Sequence, residues 1–157
     1  MALDGAFLYA VKTELMPLIG GRVDKIHQPS REEILITIRT RSGAKKLYIS
    51  ANAGSARVHL TEKNVDNPQV PPMFCMLLRK HIGSGKLINI RQDGLERILF
   101  MDFECVNELG DTVMITVVCE IMGMYSNIII VDSNGIIIDS LKRVDLTMSS
   151  KRLVLPN

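Results

Sequence analysis

The stretch PPMFCMLLRKHIGSGK, Pro71–Lys86, decides how the rest of the chain is read. Its two prolines stop whatever precedes them, and a proline at the first helical position gives up an N–H that has no partner there anyway. Phe74, Leu77, Leu78, His81 and Ile82 then recur at the i, i+3, i+4, i+7, i+8 spacing of one helical face. Arg79 and Lys80 project elsewhere, near the C-terminal end, where cations suit the helix dipole. Gly83 and Gly85 end the helix. The pattern predicts a helix that buries an apolar stripe and keeps a basic edge. That edge is either a solvated rim or part of a phosphate-contacting surface carried by Arg79 and Lys80.

Upstream, Ala2–Ile19 reads as a helix, with Leu3, Phe7, Ala10, Val11, Leu15 and Leu18 at helical spacing. Pro17 ends or kinks it and Gly20-Gly21 completes the stop. From Arg22 the period changes to two. Arg22–Gln28, Glu33–Arg39, Lys46–Ser50 and Arg57–Leu60 alternate as short strands between turn residues. Downstream of the central helix come Leu87–Gln92, Arg97–Val106, Thr112–Ile121, Asn127–Val131 and Ile136–Leu141. Asn107–Asp111 (NELGD) and the Asn134-Gly135 turn join the last four into two hairpins. Residues 142–157 have no clear period. The expected class is α+β: an antiparallel β-sandwich or pseudobarrel of eight or nine strands with two helices, because so many short strands do not stay flat.

With 157 residues, 46% of them hydrophobic, the chain is read as one domain with a real core. No apolar run approaches a membrane span. The first residues lack the basic segment and cleavage site of a leader, so a cytoplasmic protein with no membrane partner is expected. Cys75, Cys105 and Cys119 are odd in number, far apart and set among apolar residues. Free buried thiols are expected, and neither a metal nor any other cofactor. Charge is segregated: residues 1–63 carry ten Lys/Arg against six Asp/Glu, whereas 98–139 carry seven acids and no Lys or Arg. Such a chain can present one basic and one acidic face.

Enzyme templates are absent: there is no GxxxxGK[ST], no GxGxxG after a strand, no GxSxG and no HExxH. His27, His59 and His81 sit one per segment, as structural histidines do. Two places stand out. In Gln92–Arg97 (QDGLER), Glu96 and Arg97 are either surface charges at a turn or an acid that orients a planar donor fork toward a phosphate or base edge. In Val118–Gly123 (VCEIMG), Glu120 interrupts an apolar strand. A carboxylate there is either in an internal ion pair, with Arg97 or Arg79, or at a functional edge, because burying it unpaired costs several kcal/mol.

Taken in order, MALDGAFLYAV, GGRVDKIHQP, ANAGSARVHLTEK, NPQVPPMFCMLLRKHI, NELGD, EIMGMYSNIIIVD and SSKRLVLPN resemble the N-terminal domain of the NFACT family, over essentially the whole chain. The resemblance implies a β-sandwich with two helices like that of formamidopyrimidine-DNA glycosylases, and residues 1–157 as the first part of a longer protein. It implies a role in ribosome-associated quality control: binding a large ribosomal subunit that carries peptidyl-tRNA, recruiting tRNA, and supporting C-terminal alanine tailing of the stalled chain. The family's Asp-Arg pair falls on Glu96-Arg97 and its Glu-Ile-Met triplet on Glu120, Ile121 and Met122, both implicated in tRNA engagement. Glu96 keeps the charge of the usual Asp with a longer reach. Met124-Tyr125 stands where the family has Arg-His, which removes a cation. The N-terminal Pro-Glu of the glycosylases is not matched by Met1-Ala2-Leu3, so no Schiff-base chemistry is expected and the domain is read as non-enzymatic. Some bacterial members carry a fibronectin-binding name, so a surface adhesin with fibronectin as partner is the alternative, as is a degenerate glycosylase-like nucleic-acid-binding domain.

Overall fold

The computed structural model describes residues 5–92 and 97–142. The predicted helix start at Ala2–Asp4, the Asp93–Glu96 segment and the tail beyond Lys142 lie outside the described residues. Helix α1 is Gly5–Leu15, and Pro17 converts the expected last turn into a short 3-10 turn, Met16–Leu18. Gly20 then takes a left-handed φ of +95°. At Gly21 the chain passes so close to the sheet that an added Cβ would lie 2.5 Å from Ile38 Cγ2 and 2.9 Å from the Arg39 carbonyl oxygen.

Helix α2 is Met73–Ile82, starting after Pro72 as anticipated, and it buries Phe74, Cys75, Leu78 and Ile82. Leu77 and His81, at the margins of the predicted stripe, are only half-buried. Among the described residues the nine strands are β1 Arg22–Ser30, β2 Glu33–Thr40, β3 Gly43–Ser50, β4 Arg57–Thr61, β5 Lys86–Arg91, β6 Ile98–Val106, β7 Thr112–Glu120, β8 Asn127–Val131 and β9 Ile137–Ser140. β1 runs through Pro29 because two irregularities, at Val23/Lys25 and His27/Ser30, let it bend where proline offers no amide.

All pairings are antiparallel and form one sheet in the order β4-β3-β2-β1-β5-β6-β7-β8-β9. The expected β-sandwich or pseudobarrel is thus corrected to a single open sheet, with β4 and β9 at the two ends of the order. Its two halves meet at a narrow seam. β1 and β5 share the pair Arg22↔Lys86, extended by hydrogen bonds from the Val23 amide to the Gly85 carbonyl (2.9 Å) and from the Leu87 amide to the Gly21 carbonyl (2.9 Å). Beyond the seam the free edge of β1 is met by α2, whose Cys75 Sγ and Arg79 Nε both donate to the Ile26 carbonyl oxygen, at 3.5 and 2.8 Å. The Ile26 carbonyl on that edge is thereby satisfied by a helix instead of a strand.

The sheet is strongly coiled: α2 touches β1, β6 and β9, which are far apart in the strand order. One core results, built from both helices and both halves, with Leu15, Leu18, Ile34, Ile36, Ile38, Leu47, Leu78, Ile82, Leu87, Phe103 and Ile130 inside it. A smaller cluster, Phe100, Val118, Ile129 and Val131, occupies the opposite face of β6–β8. Among the described residues no helix is long and apolar enough to cross a membrane.

Candidate functional site

Strands β6 and β7 pair in register from Val106↔Thr112 to Ile98↔Glu120, and β7 pairs with β8 through Glu120↔Asn127. The ladder therefore ends on the row Ile98–Glu120–Asn127. One step further the Ile121 amide donates to the Arg97 carbonyl oxygen at 2.9 Å. This contact brings the two predicted segments, 24 positions apart in sequence, to one edge of the sheet.

The four described members of that edge differ in what they offer. Arg97 is exposed, so its guanidinium is available to a ligand. Glu120 is only 4% exposed and lies on the same face as Phe100 and Val118. Its carboxylate is therefore closed off from solvent. Ile121 points the other way and is sealed in the main core, so it holds the edge and touches nothing outside. Met122 is half-buried at the rim. Glu96 lies outside the described residues.

After Met122 the chain turns sharply. Gly123 has φ +62°, residues Gly123–Tyr125 form a 3-10 turn, and the fully buried Ser126 accepts the Met122 amide on its Oγ at 2.8 Å. Asn127, also buried, ties β8 to the end of β9: its Nδ2 donates to the Lys142 carbonyl (3.0 Å), and its Oδ1 accepts the Lys142 and Ile128 amides (2.9 Å each). The turn leaves Met124 and Tyr125 exposed beside Met122. Sequence reading marked these two only as departures from the family pattern; their position on the rim became visible with the turn.

Four residues along β6 from Ile98, Asp102 accepts two hydrogen bonds from Arg91, Nε to Oδ2 at 2.6 Å and Nη2 to Oδ1 at 2.9 Å. Thr116 donates to the same carboxylate at 2.7 Å, and the Arg91 guanidinium lies 4.8 Å from the Phe100 ring centroid. The hydrogen bonds to Asp102 push the Arg91 pKa further up. This ion pair anchors the end of β5, from which the chain departs toward Arg97.

Arg79 and Lys80 are not part of this edge. Arg79 is pinned on β1, and Lys80 lies 3.7 Å from Glu108 in the β6–β7 turn. That turn is at the far end of nine-residue β6, about 27 Å from Ile98 at strand rise. The cysteines carry no chemistry here: burial pushes the Cys105 thiol up to about 11 and Cys119 up to about 12. Among the described residues no group of three His, Cys, Asp or Glu side chains could hold a metal ion.

Residues 4–157 match the family model described as NFACT N-terminal and middle domains. The chain is 44% identical over 158 aligned residues to the Rqc2 homolog RqcH of Bacillus subtilis, covering 99% of this chain and 28% of that protein. It is 30% identical over 97 residues to the ribosome quality control complex subunit NEMF of Homo sapiens, covering 61% of this chain and 9% of that protein. Among solved structures, the N-terminal part of the fibronectin/fibrinogen-binding protein of Streptococcus suis superposes with a TM-score of 0.90 at 40% identity, over 99% of this chain and 59% of that one. The chain thus spans little more than a quarter of the length of its bacterial relative. On sequence and fold together, it belongs to the NFACT family, in its N-terminal region.

Proposed function

We propose that this chain is a non-catalytic RNA-binding domain of a ribosome-associated quality control factor, and that it engages tRNA on a large ribosomal subunit carrying peptidyl-tRNA during C-terminal alanine tailing. Arg97 supplies the contact, Glu96 and Glu120 orient it, Ile121 fixes the edge from inside, and Met122 forms the rim. Recognition is by shape and phosphate contact rather than by base edges. The cytoplasm is the compartment this role requires. In this proposal the coiled sheet with its two helices serves as the same kind of scaffold that glycosylase N-terminal domains use, without their chemistry.

The observation that carries the reading is the backbone contact between Ile121 and Arg97. It brings Arg97 to the Glu-Ile-Met triplet at one edge and leaves an exposed arginine beside an apolar rim. The names of the relatives, RqcH and NEMF, support the ribosomal setting. The test is tRNA affinity, read by fluorescence anisotropy, with Glu96 and Arg97 both changed to alanine. Loss of charge-assisted contacts predicts a fall of about tenfold or more. Unchanged affinity removes both residues from the site.

A second reading has one observation in its favour, the fibronectin/fibrinogen-binding name of the Streptococcus suis relative. Under it the chain binds fibronectin directly, and immobilised fibronectin retains the chain in a manner that tRNA does not compete away.

A further inference from the structure

The outer face of β1–β4 carries a second cluster of cations that the proposed edge does not use. Register places it row by row. Lys25 on β1 stands opposite Thr37, which stands opposite Lys46 on β3. In the next row His27, Leu35, Tyr48 and His59 align across four strands. Arg79 joins from α2, because its Nε is held on the Ile26 carbonyl beside His27. A cleft of about 340 Å³ opens there, lined by Lys25, His27, Arg79 and the Gly83-Ser84 turn, with Asp24 as its acid.

Two acids of this face are already engaged, while Glu62 lines a groove beside Lys46 on β3–β4. Asp24 meets Arg39 at 3.3 Å, and Glu33 accepts from Ser30 (2.6 Å) and from the Tyr48 hydroxyl. Leu35 and Tyr48 are buried, with Arg57 over the Tyr48 ring at 5.3 Å and His59 against it at 5.0 Å. In this row an acidic peptide would find charge but no open apolar side chain. A regularly charged backbone needs only the charges, and Lys25 and Lys46 stand about 10 Å apart, two strand spacings. The surroundings of His27 are electropositive enough to be felt by it: burial lowers its pKa first, and Arg79 from α2, Lys25 from β1 and Lys46 from β3 lower it further.

We propose that the β1–α2 cleft and the adjoining face of β1–β3 form a second polyanion surface, on which Lys25, His27, Lys46 and Arg79 contact the sugar–phosphate backbone of RNA. Naming RNA as the polyanion rests on the function proposed above; the surface is separate from the Arg97 edge. Lys46 currently donates to Asn64 at 2.6 Å, a contact between exposed groups that a phosphate can replace. A phosphate close to His27 favours its protonated form, so RNA binding and proton uptake at His27 are coupled.

The experiment is binding of fluorescein-labelled tRNA across a salt series, for the wild-type chain, Lys25→Gln/Arg79→Gln, Lys25→Gln/Lys46→Gln and Arg97→Ala. The second double variant leaves the Arg79–Ile26 contact intact and guards against a folding defect. Each double variant is expected to weaken binding about tenfold or more, and to lower the slope of log affinity against log salt by about two. NMR titration of His27 with inorganic phosphate is expected to raise its pKa. Wild-type affinity and slope in both double variants would overturn the surface while leaving the Arg97 edge standing. Loss in the double variants with Arg97→Ala unaffected would do the reverse. No tRNA binding by the wild-type chain would sink both, and equal competition by poly-glutamate would overturn RNA as the ligand.

Discussion

The amide of Ile121 and the carbonyl of Arg97 meet at 2.9 Å, one step past the last paired row of β6 and β7. Ile121 is fully buried in the main core. The exposed arginine is therefore tied, through its own backbone, to a side chain that cannot move without disturbing the interior. A residue that touches no ligand thus decides where one that can is held.

Changing Ile121 to alanine is expected to cost about 2–5 kcal/mol of stability, the range for truncating a buried aliphatic side chain. Because the edge loosens at the same time, tRNA affinity should fall even in buffer where the variant remains folded. Urea unfolding and anisotropy on the same preparation check both effects. Lost stability with unchanged affinity would separate the core from the edge.

Asp102 receives two hydrogen bonds from Arg91 and one from Thr116. Asp102→Ala strands the partly buried guanidinium and the buried threonine hydroxyl, and hydrogen bonds to a charged group are worth about 1.5–3 kcal/mol. A loss of that size is expected in urea unfolding. Arg91→Lys should lose part of the same stability, since an ammonium cannot reproduce the two-point contact.

Glu33 titrates below its ordinary value of 4.5, first because Ser30 donates to it and then because Tyr48 does. A carboxyl with a depressed folded-state pKa contributes stability that is present above its unfolded value and lost as pH falls through the folded one. The urea midpoint of wild type relative to Glu33→Gln should therefore be highest near neutral pH and shrink on acidification below about pH 4.5. A difference that stays constant down to pH 2 would contradict the assigned protonation.

All three cysteines are buried, and Cys105 and Cys119 are held as neutral thiols up to about pH 11 and 12. In native buffer at pH 8 a thiol-reactive dye should label the chain very slowly, and three thiols should appear on addition of denaturant. Fast labelling of one cysteine in the native state would reveal an opening of the sheet that the packing does not anticipate.

Much of the architecture was legible because its signals are local. Pro72 and Gly83 bracket α2, and the alternation of Ile34, Ile36 and Ile38 marks β2 before any partner is known. The joining of the two halves was not. β1 is brought beside β5 only after the chain has crossed through β4 and α2, so the seam at Arg22↔Lys86 rests on residues 64 positions apart. For the same reason a sandwich or pseudobarrel was expected where one open sheet stands: strand count and shortness signal curvature, but only the pairing order reveals the open ends. The candidate edge was legible as two motifs, and their meeting at Arg97 and Ile121 required the β6–β7 register. Arg79 and Lys80 looked like companions of Arg97 in sequence, yet the helix carries them to the opposite end of the sheet. Of the cations at the β1–β3 face, Arg79 stood out in the sequence, whereas Lys25 and Lys46 were passed over because they lie on separate strands that only the register brings together.

Met124, 70% exposed and two residues beyond Met122, offers the most direct test of the edge as an RNA contact. A photo-crosslinking amino acid placed at Met124 should join the chain to tRNA on irradiation, while the same group at Ile136, 61% exposed in the β8–β9 turn, should not. Crosslinks to tRNA from Ile136 but none from Met124 would contradict the account.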